Sequence, residues 1–175
     1  MLYVVATPIG NLGDISQRAL EVLENCDIIA AEDTRHTQKL LMHFGIKKPL
    51  ISYYEHNKTT RGPLLIEKLS NGENIALVSD AGTPGISDPG EDLVKECIKN
   101  DITVTSIPGS CALISAVITS GLCAGRFCFE GFLTMNKIGR REHLNSLKTE
   151  KRTMIFYEAK IIILCKTRVR NTTIL

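Results

Sequence analysis

Residues 74–100, NIALVSDAGTPGISDPGEDLVKECIKN, decide the fold. A short continuous apolar run, NIALVS, leads into a long loop rich in Gly and Pro, and the loop leads into a helix. A strand that is apolar without alternation is covered on both faces, which is the signature of a parallel sheet between helices. The start of the helix carries its own mark in Asp88-Pro89-Gly90-Glu91. Asp88 is a good N-cap, Pro89 suits the first helical position, and Glu91 three residues on completes a capping box. Asp80, at the end of the strand, is open to two readings: a carboxylate facing a ligand, or an Asx-turn over Ala81-Gly82. Gly82, Pro84 and Gly85 leave the loop poor in side chains, so a ligand can approach its backbone amides.

The same pattern extends outward. Residues 2–6, 27–31, 49–53 and 102–107 read as further buried strands. Between them lie segments of helical periodicity: Ile15, Ala19, Val22 and Leu23, then Leu40, Leu41 and Phe44 before Gly45, then Leu64, Leu65 and Leu69 before Gly72. The expected architecture is therefore α/β, a parallel five-stranded sheet with flanking helices over residues 1–115, followed by an incomplete second α/β domain in 116–159. In that second part, residues 126–133 and 152–157 read as strands around a charged helix, 137–148. The last sixteen residues, KIIILCKTRVRNTTIL, lack Gly, Pro or any turn signal and are read as an aberrant tail, 160–175.

Ligands of parallel α/β sheets sit beyond the carboxyl ends of the strands. Four loops are selected by that rule: 7–14, 32–35, 80–90 and 108–112. The first, TPIGNLGD, lacks the G-x-G-x-x-G spacing of a dinucleotide fingerprint, and no G-x-x-x-x-G-K-[ST] phosphate loop occurs, so NAD-dependent and kinase chemistries lose support. Glu32-Asp33-Thr34-Arg35 sets two carboxylates, a hydroxyl and a guanidinium at one sheet edge, either as a functional cluster or as a helix cap with a local ion pair. Ser110 is a candidate N-cap for a helix over about 110–120, whose free amides can hold a polar ligand group.

With 21 basic and 19 acidic residues in 175, the net charge of +2 gives no global attraction to nucleic acid, and any RNA contact must be local. The densest basic group is Lys137, Arg140, Arg141, Lys148, Lys151 and Arg152, otherwise a solvated helix face. Six cysteines with no C-x-x-C pair and no histidine at zinc spacing suggest reduced thiols, with neither a metal site nor a disulfide framework. The N-terminus lacks a basic leader and its apolar stretch stops at Pro8, so the chain is read as cytoplasmic and free of membrane spans.

Taken together, VVATPIGNLGDIS, AAEDTR, VSDAGTPGISDPG, PGSCAL, FEGFL and MIFYEA, in this order and spacing, resemble the tetrapyrrole methylase family over residues 1–159. The branch most resembled methylates a cytidine ribose in small-subunit ribosomal RNA. The resemblance implies two α/β domains with S-adenosylmethionine in the cleft between them, in a homodimer that acts on ribosomal RNA or the ribosomal subunit. Carried onto this chain, cofactor contacts fall on Pro8 or Ile9, on Val78, Ser79, Asp80 and Ile86, on Cys111 and Ala112, and on Tyr157 and Glu158 of the second domain.

The implied reaction is attack of a ribose 2′-hydroxyl on the cofactor's methyl group. For its catalytic residues Asp33 is nominated as proton acceptor, Asn11 to orient the hydroxyl and Arg35 to meet a phosphate. Two departures from the family pattern bear on this. Porphyrin-methylating members carry an aspartate where this chain has Asn11, which lowers the reading as a methylase of a corrin, porphyrin or other small acceptor. In the ribosomal branch MIFYEA continues into a proline-histidine pair, whereas here it meets Lys160 and the tail. The tail is therefore read as the product of a frameshift or premature stop, and an inactive cofactor- or partner-binding fragment is the alternative from another class.

Overall fold

The computed structural model describes residues 1–158, 161–165 and 173–174. The chain divides into two compact units, Met1–Cys111 and Ala112–Leu175. In the first unit β1 (Leu2–Val5), β2 (Ile28–Ala31), β3 (Leu50–Ser52), β4 (Ile75–Val78) and β5 (Val104–Ile107) form one sheet in the order β3-β2-β4-β1-β5. All four pairings are parallel. The crossovers are α1 (Gln17–Asn25), α2 (Thr34–His43), α3 (Lys58–Ser70) and α4 (Glu91–Lys99). The five strands and the flanking helices expected from the apolar runs are thus present.

The continuous apolar strands are explained by two separate cores. Ala76 and Val78 of β4, with Ile29 and Ala31 of β2, pack with Ala19 and Leu23 of α1 and Leu41 of α2. The alternate residues Ile75 and Leu77, with Ala30, pack with Leu65 and Leu69 of α3 and Leu93 and Cys97 of α4. Strand side chains alternate between faces, so an unbroken apolar strand is required when both faces are covered. β2 and β4, buried at every position, are two of the three interior strands of this arrangement.

The start of α4 differs from expectation. The helix begins at Glu91, its N-cap is Gly90, and no side chain caps it, so Asp88 and Pro89 lie outside it. Gly90 has φ +150°, and a Cβ there would come within 3.0 Å of the Leu77 side chain. Crowding against the sheet thus sets the helix entry, and Glu91 and Asp92 in the first turn complement its dipole. Likewise Ser110 does not open the next helix, which starts at Ala112.

The second unit contains α5 (Ala112–Thr119), β6 (Phe127–Phe132), α6 (Lys137–Ser146), β7 (Thr153–Glu158), β8 (Ile161–Cys165) and β9 (Thr173–Ile174). Its sheet runs β6-β7-β8-β9, with β6 parallel to β7 and the remaining pairs antiparallel. Asn136 caps α6 by accepting from the amides of Ile138 and Gly139. Of the stretch read as an aberrant tail, residues 161–165 pair along β7 with Leu164 buried, and 173–174 pair with β8. Residues 160, 166–172 and 175 of that stretch lie outside the described residues. Among the described residues no helix is long and apolar enough to cross a membrane.

Replacing Gly90 with alanine forces an L side chain into this positive-φ position against Leu77. The expected cost is about 1–3 kcal/mol of unfolding free energy, read as a lower denaturant midpoint at unchanged slope; an unchanged midpoint would show that Leu77 yields without penalty.

Candidate functional site

The four loops selected from the sequence emerge together at the carboxyl edge of the five-stranded sheet, and the loop after β4 is tied to the other three. Thr7 and Gly82 exchange backbone hydrogen bonds of 2.9 and 3.0 Å, joining it to the loop after β1. The Thr7 hydroxyl, 3% exposed as a residue, donates to the Ser79 carbonyl at 3.3 Å. The Thr83 hydroxyl donates to the Ser110 carbonyl at 3.1 Å, joining it to the loop after β5. On the other side, the Asp33 amide donates to Asp80 Oδ1 at 3.0 Å and the Asp80 amide donates to Glu32 Oε2 at 3.4 Å. Gly82 has φ +85°, and a Cβ on it would crowd Ile9 at 3.3 Å, so this crossing suits glycine.

Asp80 therefore neither closes an Asx-turn on its own loop nor stands alone: it braces the start of α2 while lining a cavity. That cavity, about 330 Å³, is bounded by Thr7, Pro8, Ile9, Gly10 and Leu12, by His36, Lys39 and Leu40 on α2, and by Asp80 and Ala81. Its size falls in the range of about 300–1,000 Å³ usual for small-molecule sites. One carboxylate, one ammonium, an imidazole, a stretch of open backbone and several apolar side chains can hold a ligand that carries both charges at one end and is flat and apolar at the other. His36, Lys39 and Leu40 were missed from sequence, although their i, i+3, i+4 spacing from the start of α2 puts them on one face.

The remaining predicted residues fall into distinct settings. Val78 and Ser79 are buried at the end of β4. Ile86 is half-buried in the same loop, and Cys111 lies just before the start of α5. Asn11 caps a short 3-10 turn by accepting from the Gly13 amide at 3.0 Å. Asp33 is the N-cap of α2, accepting from the Arg35 amide at 2.8 Å. Its carboxylate also takes the Arg35 guanidinium fork at 3.1 and 2.6 Å. Those bonds hold the Asp33 carboxyl well below the usual carboxylate range, which makes it a weak proton acceptor while the pair persists.

Its neighbours behave oppositely. Burial raises Glu32 against the lowering by its hydrogen bond from the Asp80 amide, and the charges of Asp80 and Asp33 add to the rise. Burial, with Glu32 and Asp80 alongside, pushes the Asp88 carboxyl up to about 6. Asp88 is thus a member of an acidic group beneath the loop and has no capping role. Perturbed carboxylates at a sheet edge beside a cavity are a common mark of a functional site.

In the second unit, Tyr157 and Glu158 close β7, and Ala112 opens α5. The Tyr157 hydroxyl accepts from the Leu113 amide at 3.1 Å, satisfying a donor of the first turn of α5. The Tyr157 ring is held edge-on by Phe129 and Phe132, with centroids 4.8 and 5.6 Å away. This contact between strand and helix within the unit was not visible in the sequence.

The profile of the tetrapyrrole (corrin/porphyrin) methylases matches residues 1–167. Proteins named ribosomal RNA small subunit methyltransferase I are similar in sequence: the Synechocystis sp. protein is 59% identical over 159 residues, covering 91% of this chain and 57% of its own length. The Pasteurella multocida protein is 55% identical over the same length, and the Escherichia coli O157:H7 protein is 55% identical over 158 residues. The chain thus spans little more than half the length of these relatives. Among solved structures, diphthine synthase shares the fold with a TM-score of 0.70 at 16% identity, covering 91% of this chain and 64% of that one. Uroporphyrin-III-C-methyltransferase from Thermus thermophilus shares it with a TM-score of 0.61 at 17% identity, covering 89% and 66%.

The raised Asp88 carboxyl has a consequence for stability. Between about pH 4 and its folded value of about 6, the folded chain holds a proton that the unfolded chain has lost, so this group's contribution to stability falls as pH rises through that window. Asp88→Asn removes the contribution. The variant is expected to gain in melting temperature relative to the parent on going from pH 4.5 to 7; a difference independent of pH would mean that Asp88 titrates normally.

Proposed function

The chain belongs to the tetrapyrrole methylase family, and on that premise we propose that its first unit binds S-adenosylmethionine for 2′-O-methylation of a cytidine in small-subunit ribosomal RNA. The cavity over Asp80 carries the cofactor part of this reading. The identity of 51–59% to the ribosomal RNA methyltransferases supports the substrate. The residues fit the cofactor. Asp80 faces its cationic groups, the acidic neighbours Glu32 and Asp88 favour positive charge nearby, and Pro8, Ile9, Leu12 and Leu40 offer an apolar wall to an adenine ring. Val78 and Ser79 contribute backbone groups, and Ile86 and Cys111 complete the proposed contact set of the first unit. In this reading the protein works as a homodimer on the ribosomal subunit in the cytoplasm.

When bound, the cofactor supplies a methyl group on a sulfonium. A C–O bond forms to the ribose oxygen as the S–CH₃ bond breaks, and the hydroxyl proton must leave. The proposed acceptor is Asp33, with Asn11 orienting the hydroxyl. The Asp33–Arg35 pair supplies the gating: an RNA phosphate that draws the exposed Arg35 guanidinium away removes the main cause of the low Asp33 pKa. The carboxylate then regains basicity when RNA is in place.

Two substitutions divide binding from chemistry. Asp80→Asn is expected to weaken S-adenosylmethionine binding at least tenfold by calorimetry. Asp33→Asn keeps a good N-cap, so folding and cofactor affinity should hold while methyl transfer to small ribosomal subunits drops by about 10²–10⁴. Label transferred to a small tetrapyrrole and not to ribosomal subunits would overturn the RNA reading, and cofactor binding with no transfer to either would leave a binding fragment.

A further inference from the structure

A second concave site lies in the other unit, at the amino ends of β6 and β7. Arg126 directly precedes β6, and Lys151 and Arg152 directly precede β7. The strands are parallel with Phe127 opposite Thr153, so the register places Arg126 and Arg152 side by side, about 4.8 Å apart in backbone spacing. Together with Cys123, Thr149 and Glu150 they line a cavity of about 430 Å³. The loop forming one wall is fixed: the Thr153 hydroxyl, on a fully buried residue, donates to the Cys123 carbonyl at 2.8 Å.

The charges do not cancel. Glu150 accepts the Arg152 fork at 2.9 and 2.6 Å and the amides of Lys151 and Arg152 at 2.8 Å each. These bonds lower its carboxyl to about 2, so it stays ionised and commits Arg152. Neither the Arg126 guanidinium nor the Lys151 ammonium has an ion-pair partner among the described residues, which leaves two exposed cations facing one cavity. The Thr149 hydroxyl adds a neutral donor. Among the described residues no aromatic or branched aliphatic side chain lines the site, so it offers a base or a porphyrin no apolar platform.

We propose that this cavity is a phosphate subsite, in which Arg126 and Lys151 hold a backbone phosphate of single-stranded RNA. The identity of the ligand as RNA rests on the proposed function; the preference for an anion rests on the cavity itself. A guanidinium can take two phosphate oxygens in a fork while the lysine adds a point charge, and Glu150 is spent on Arg152. The subsite reads charge and geometry but no base, so it positions RNA without selecting sequence. It lies at the opposite end of β7 from Tyr157, four residues or about 13 Å along the strand.

The test is binding of the full chain to two single-stranded oligoribonucleotides of equal length, one from small-subunit ribosomal RNA and one of unrelated sequence, across a salt titration. The double variant Arg126→Glu, Lys151→Glu should weaken binding to both by tenfold or more and flatten the log–log salt slope by about 0.7 for the lost phosphate. Arg126→Gln, Lys151→Gln should give a smaller loss of the same kind, and decides the matter if the glutamate pair lowers the melting temperature. Slopes and affinities equal to the parent's in a folded variant overturn the subsite while leaving the RNA reading intact. Equal parental affinity for both RNAs, no methyl transfer and a loss in the variants uphold the subsite and overturn the ribosomal reading. No parental binding to either RNA overturns both.

Discussion

Every backbone group that leaves the carboxyl edge of a sheet loses its ladder partner and must find another. In the first unit this need falls most heavily on β4, which sits third of five with β2 on one side and β1 on the other. The loop after it meets the need by bonding its main chain sideways to Thr7 after β1 and to Glu32 after β2, while its side chains satisfy main-chain groups of Ser110 after β5 and Asp33 after β2. The site is thus a set of loops cross-braced through the central one. A ligand over Asp80 would find its contacts already in position, and such preorganisation lowers the cost of binding.

The bracing also sorts the acidic residues. Asp33 is solvated and paired, Glu32 and Asp88 are pressed together under the loop, and Asp80 spans the two settings. Carboxylates of like type thereby acquire different proton affinities from position alone. Since Asp33 owes its acidity chiefly to Arg35, an exposed and replaceable partner, its chemistry can respond to what binds nearby.

Much of the fold was legible because burial on both faces leaves a continuous apolar run, which β2 and β4 display at every position. The loops that build the site could be chosen from sequence for the same reason, since strand ends fix where they emerge. The misread features all depend on partners distant in the chain. Asp88-Pro89-Gly90-Glu91 satisfies local capping rules, yet the Leu77 side chain crowds Gly90 at the helix entry and Asp88 is partly buried away from the helix start. His36 and Lys39 were passed over because neither joins the apolar repeat of α2. Arg126 gained significance only through the register that sets it beside Arg152. The catalytic roles of Asp33, Asn11 and Arg35 stay proposals for the same reason: nothing local distinguishes Asp33 the cap from Asp33 the base.

The clasp between Thr7 and Gly82 consists of main-chain atoms alone. Its two bonds do not depend on which side chain residue 7 carries, and at residue 82 they ask only for a tolerated backbone angle. Mutation can therefore alter the wall of the cavity at Ile9, Leu12 or Leu40 without unfastening the loop that frames it. Loop position thus depends on the peptide backbone and the chemistry of the cavity wall on side chains, so the wall can change while its frame stays in place.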